Sequence, residues 1–132
     1  MKTELLYLTL VTALTGLLWV PYILDRIATR GLLDAVGYPA NPKPQSPWAV
    51  RLMRAHDNAV ENLVIFAPLV MILDSLNISS PTTEIACATY FWARLAHAIL
   101  YTFGVKVLRS LAFTVGFGAQ VVLVLAIFKV VQ

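Results

Sequence analysis

Arg94 stands in the middle of an apolar segment, with Tyr90 four residues before it, His97 three after and Tyr101 four beyond that. At 100° per residue these side chains share one stripe of a helix. A guanidinium at the centre of a bilayer costs roughly 2.5–3.5 kcal/mol on insertion scales, so this stripe must face protein and find partners there. A second stripe, spaced three, four and three, carries Arg51, Arg54, Asn58 and Glu61. Counted inward from the basic ends of their helices, Glu61 and Arg94 reach similar depth. That predicts an ion pair between them, within one subunit or across a subunit boundary. Such a pair serves packing alone. It leaves Arg51, Arg54, Asn58, His97, Tyr101 and Arg109 unexplained, and this excess of cations and amides outlines a pocket for an anionic ligand. Snorkelling at the interface is the plainer account of Arg51 and Lys106.

Other chemistries find less support. His56 and His97 are the only histidines and fall on different helices, with no cysteine or tight carboxylate cluster to join them, so no metal site is expected. Ser110 has no base nearby in sequence and no nucleophile-elbow pattern, and suits the N-cap of a helix equally well. The single cysteine, Cys87, excludes an intrachain disulfide and reads as a small buried hydrophobe. The net charge of +3 comes from basic residues beside apolar blocks, without a lysine-rich run, which argues against a nucleic-acid partner.

The elements that must carry these stripes are membrane helices. Of the 132 residues 59% are apolar and only 13% charged, outside the usual balance of a soluble domain. The apolar residues occur in blocks near the ~20 residues needed to cross a hydrocarbon core. The expected fold is all-α and integral to the membrane: one domain over residues 1–132, a bundle of four transmembrane helices at about 3–30, 48–76, 84–104 and 110–131. The first block runs without charge from Leu5 to Leu24, and Trp19, Pro21 and Tyr22 form an interfacial aromatic group with a proline that kinks the helix. It is too long for a secretory signal and no cleavage pattern follows, so it is read as a retained helix.

Four of the seven prolines lie between Tyr38 and Pro47, which precludes a regular helix there and leaves an ordered turn or a linker. Thr82 or Thr83 is the expected N-cap of the third helix, with Glu84 favourable in its first turn. Lys106 to Arg109 read as a short basic connection before the fourth. Arg26, Arg30, Lys43, Arg51 and Arg54 flank the first connection, and Lys106 and Arg109 the third, whereas the second has no basic residue. Both termini are therefore expected outside the cytoplasm, with the charged stripes opening toward it.

The segment Arg54-Ala55-His56-Asp57-Asn58-Ala59-Val60-Glu61-Asn62 resembles the second-helix motif of the MAPEG family, the membrane-associated proteins of eicosanoid and glutathione metabolism. Ala93-Arg94-Leu95-Ala96-His97 through Tyr101, with Lys106 and Arg109-Ser110, resembles that family's third helix and the start of its fourth. The resemblance implies a homotrimer that binds glutathione, as co-substrate, between subunits near the cytoplasmic face, with a lipophilic small molecule or lipid entering from the bilayer. It makes Arg109 and Ser110 the catalytic pair that holds the thiolate, and assigns Arg26, Arg54, Asp57, Asn58, Glu61, His97, Tyr101 and Phe113 to glutathione. His56 and Arg94 then belong to the structural polar core.

The implied activity is that of a glutathione transferase or peroxidase acting on a lipophilic electrophile or hydroperoxide. Two departures, Asp57 where prostaglandin-synthase-like members carry a basic residue and Phe113 where they carry tyrosine, motivate the alternative of a non-catalytic lipid-binding or accessory protein of the same fold. A bacterial inner membrane is the expected location in preference to the endoplasmic reticulum.

Overall fold

A computed structural model describes all 132 residues, and every regular element in it is a helix: α1 (Thr3–Leu17), α2 (Trp19–Arg30), α3 (Leu32–Val36), α4 (Pro47–Ser75), α5 (Pro81–Thr102) and α6 (Lys106–Ile127). Three stretches, Thr3–Arg30, Pro47–Ser75 and Lys106–Ile127, are long and apolar enough to cross a membrane. The fourth long helix, α5, carries the Tyr90, Arg94 and His97 stripe that lowers its hydropathy. It packs against α6 along most of its length, and against α1 and α4. Its polar stripe is thereby enclosed.

The break between α1 and α2 falls at Leu18, whose backbone stays helical. Pro21 has no N–H for the carbonyl of Leu17, so the hydrogen-bond ladder lapses there while the rod continues. The core holds Val11, Phe66, Val70, Leu73, Tyr90 and Leu123, contributed by four helices. Phe66 and Tyr90 stack at 3.8 Å between ring centroids, which joins α4 to α5.

Two helix starts differ from expectation. The third predicted helix starts earlier, because Ser80 is its N-cap: Ser80 Oγ accepts from the Thr83 N–H, Thr83 Oγ1 accepts from the Ser80 N–H, and Pro81 takes the first helical position, where no N–H is required. The fourth begins at Lys106, not Ser110, so Arg109 and Ser110 ride on a rigid helix and Ser110 is no N-cap. The proline-rich connection is an ordered strap. Asp25, buried on α2, accepts from the Ser46 N–H at 3.0 Å and from Ser46 Oγ, while Gln45 Nε2 donates to the Tyr22 carbonyl at 2.8 Å. Arg30 Nε adds a bond to the Lys43 carbonyl at 2.8 Å. The short α3 was not anticipated at all.

Candidate functional site

The stripe on α5 is borne out: Tyr90, Arg94 and His97 are all buried, and Tyr101 continues the line to the helix end. The stripe on α4 divides lengthwise. Residues alternately three and four apart zigzag about a helical stripe, and here the edges lie about 60° apart on the wheel. Arg51 and Asn58 occupy the edge turned to α5; Arg54 and Glu61 occupy the edge left exposed, with Asp57 beyond them. This division corrects the expected ion pair. Within the chain, Arg94 meets Asn58 and not Glu61: its Nη2 donates to Asn58 Oδ1 at 2.8 Å and lies 3.4 Å from His97 Nδ1. A guanidinium has only donors, so His97 Nδ1 is the acceptor and the ring proton sits on Nε2.

Arg94 is 3% exposed, and its Nε and Nη1 are buried without a partner, as is the Tyr90 hydroxyl. Those two nitrogens are enclosed by the chain's own packing. The network extends inward through Asn62, whose Nδ2 donates to the Asn58 carbonyl at 2.8 Å, and through Gln120 Nε2, which donates to the Asn62 carbonyl at 3.1 Å. Gln120 had been passed over. A lone amide in the apolar run of α6 was the signal for it. Gly116, beside Arg94 and Tyr90, leaves room for both side chains.

Arg51 has a different task from ligand binding. Its Nε donates to the Thr102 carbonyl at 2.8 Å, satisfying the C-terminal end of α5 while its guanidinium lies against Gly104, which turns with φ of 73°.

From His97 the polar line opens into a cleft of about 310 Å³ between α5 and α6, lined by His97, Tyr101, Arg109, Ser110, Phe113 and Thr114. Arg109 lies over the Tyr101 ring at 4.3 Å from its centroid, a cation–π contact that holds the guanidinium at the mouth without neutralising it. The one ion pair in the chain, Lys2 with Asp74 at 2.9 Å, is elsewhere. Ser110 Oγ reaches only the Lys106 carbonyl, at a long 3.5 Å, so its proton remains available. Thr114, which the sequence did not single out, bonds the Ser110 carbonyl at 2.9 Å and completes the wall.

An unneutralised arginine and a serine on the first turns of a helix thus face a histidine and a tyrosine one turn apart. The profile of the MAPEG family matches residues 7–129. The chain belongs to the MAPEG family. It is accordingly an integral membrane protein built as a helical bundle. No individual curated protein is significantly similar to it.

Within this MAPEG chain, then, the residues expected at the site fall into three groups. His97, Tyr101, Arg109, Ser110 and Phe113 share the cleft, and Asn58 and Arg94 stand directly behind it. Arg54, Asp57 and Glu61 are exposed on the outer face of α4. Arg26 and His56 lie on the far side: Arg26 Nε donates to Gln45 Oε1 at 3.1 Å and its Nη2 approaches Met53 Sδ at 3.9 Å, while the Tyr22 hydroxyl and His56 Nδ1 are 2.7 Å apart. Nothing within the chain joins the third group to the cleft.

Proposed function

We propose that the protein is a membrane glutathione transferase or peroxidase, in which the cleft between α5 and α6 holds the thiol and Arg109 stabilises its thiolate. The observation that carries this reading is the cleft-lining Arg109 guanidinium, fixed over Tyr101 and without a counter-ion. An ordinary thiol, with a pKa of about 8.5, is only a few per cent ionised at pH 7. Lowering it by two units takes about 2.7 kcal/mol. One positive charge about 4 Å away supplies roughly 4 kcal/mol at an effective dielectric of about 20, so a single guanidinium suffices. The positive end of the α6 dipole acts in the same direction, and Ser110 can donate a hydrogen bond to the sulfur. The thiol's proton goes to solvent, and the thiolate then attacks an electrophilic carbon: the C–S bond forms as the bond from that carbon to its leaving group breaks, and the leaving group departs into solvent with the electron pair. With a hydroperoxide the thiolate attacks the outer oxygen to give a sulfenate and an alcohol, and a second glutathione then yields the disulfide and water.

The outer face of α4 supports the rest of the proposal. Arg54, Asp57 and Glu61 are exposed on a helix apolar enough to span a membrane, where each carboxylate facing lipid would cost a few kcal/mol. A neighbouring copy covers them, as in a homotrimer, and brings them to the thiol site of the adjacent subunit: Arg54 for a carboxylate of glutathione, Asp57 and Glu61 for its ammonium group. In the membrane α5, about 33 Å long, is the fourth span, shielded by its neighbours. The basic first and third connections face the cytoplasm, and a bacterial inner membrane is the proposed location.

Asp57 and Phe113 favour a second reading, a lipid-binding or accessory protein that presents the same faces without chemistry. Conjugation of a generic electrophile, together with thiolate absorbance on adding glutathione to the purified protein, separates the two. The absence of both signals from folded protein rules out the enzyme.

A further inference from the structure

The outer side of the α5/α6 pair, turned away from the thiol cleft, carries a long furrow. Two adjoining apolar hollows of about 510 and 470 Å³ share Ile85, Thr89 and Val115 and so form one channel. Its wall on α5 is a stripe of Thr82, Ile85, Thr89, Trp92 and Ala96. On α6 the stripe runs through Ala112, Val115, Gly118 and Val122. One turn farther along α6, Ala126 leads into a polar hollow of about 320 Å³ that includes Asn77, Ser79, Ser80 and Lys129.

The furrow is therefore amphipathic along its length, cationic at one end and apolar for the remainder. Asn77 and Lys129 close α4 and α6 with φ of 55° and 59°, conformations rare outside glycine, and both side chains border the same hollow. Lys129 is exposed and forms no ion pair within the chain. Ser79 donates to Glu4 at 2.9 Å and Ser80 Oγ accepts from the Thr83 N–H, which leaves Lys129, Asn77 and the Ser80 hydroxyl proton as the donors at this end. From Ser80 to Ala96 the furrow is about 24 Å long at 1.5 Å per residue. One leaflet contributes about 15 Å of hydrocarbon, and the remaining length reaches the headgroup level. Trp92 lies exposed near the deep end, far from the interface where tryptophan is enriched.

We propose that this furrow binds one anionic phospholipid of the leaflet opposite the thiol cleft, with its phosphate at Lys129, Asn77 and Ser80 and one acyl chain lying between α5 and α6 as far as Trp92. The cation at the polar end selects the headgroup charge, and the small side chains of the floor admit the chain. This site stands on the opposite side of α6 from Arg109 and does not depend on thiol chemistry.

The full chain carrying Trp19→Phe and Trp48→Phe retains Trp92 as its only tryptophan. It is placed in phosphatidylcholine vesicles containing about a tenth of phosphatidylglycerol brominated near the chain terminus. Trp92 fluorescence is expected to be quenched at least about two-fold more than by the same fraction of phosphatidylcholine brominated at the same carbons. Lys129→Gln is expected to erase that difference. Gly118→Leu fills the furrow: a Cβ at Gly118 meets nothing within 4 Å, and the change favours the helix, so the fold is retained. It is expected to abolish the excess quenching. Equal quenching by the two lipids in the starting protein, or an excess that survives Gly118→Leu, overturns the proposal. Shielding of Trp92 from both lipids also overturns it, by placing a second copy over the furrow.

Discussion

The two ends of α5 are built from similar polar residues and finished differently. At its N-terminal end, Ser80 and Thr83 satisfy one another, and Glu4, buried on α1, accepts from Ser79 and Thr83. The hydroxyls and Glu4 Oε1 are paired there, with Glu4 Oε2 left buried without a partner, and the result is a lock between α1 and α5. Toward the C-terminal end, Arg94, His97 and the adjoining Arg109 bring more donors than the chain supplies acceptors. Arg94 has one amide oxygen and one ring nitrogen for its guanidinium, and Arg109 has an aromatic face. Mutual pairing locks α1 to α5 at one end, whereas at the other the Arg109 guanidinium, unpaired at the cleft mouth, is the donor that a ligand in the cleft can reach, and the unpartnered Arg94 nitrogens lie buried behind it.

The comparison can be broken most decisively at Arg109. Arg109→Ala is expected to lower kcat/KM for thiol conjugation by about 100-fold or more, some 2.7 kcal/mol of transition-state stabilisation, with thermal stability and oligomer unchanged; a comparable loss of stability would make Arg109 structural. Asn58→Ala removes the one carbonyl oxygen bound to the Arg94 guanidinium and should cost about 1.5–3 kcal/mol of stability, seen as a lowered melting temperature together with reduced conjugation. At the closed end, Glu4→Ala should cost about 1–2 kcal/mol in the same melting measurement while kcat/KM holds, because the lock is remote from the cleft. The smallest effect is expected at Gly116→Ala, where the added Cβ meets Ala93, Arg94 and Tyr90 at 3.7–3.9 Å, ordinary contact distances. Stability should change by no more than about 1 kcal/mol, and a larger loss would mean that Arg94 needs more room than its contacts indicate.

Much of this contrast was legible in the residues. The three-and-four spacing of Tyr90, Arg94, His97 and Tyr101 determined that they share a face, and the insertion cost of Arg94 determined that the face is enclosed. The motif around Asn58 and the Arg109-Ser110 pair pointed to the family that the whole-chain match then established. The partner of Arg94 was not legible, because Asn58 and Glu61 belong to one stripe and differ only in which edge the packing of α5 covers. Nor were Glu4 and Asp25. Each lies near the end of an apolar block, where a carboxylate usually stays in water, and each is buried by a contact from far along the chain, to Thr83 and to Ser46.

By itself the sequence determined the helices, their affinity for a membrane, and the angular position of each polar side chain about its own helix axis, since all three follow from local composition and a fixed period. Only the tertiary structure decided which neighbour covers each face. It placed Asn58 and not Glu61 against Arg94, turned Arg54, Asp57 and Glu61 outward, and set the cleft and the furrow on opposite sides of α6. The period of a helix specifies direction around one axis, whereas contact requires the relative placement of two, and that is set by the packing of the whole bundle.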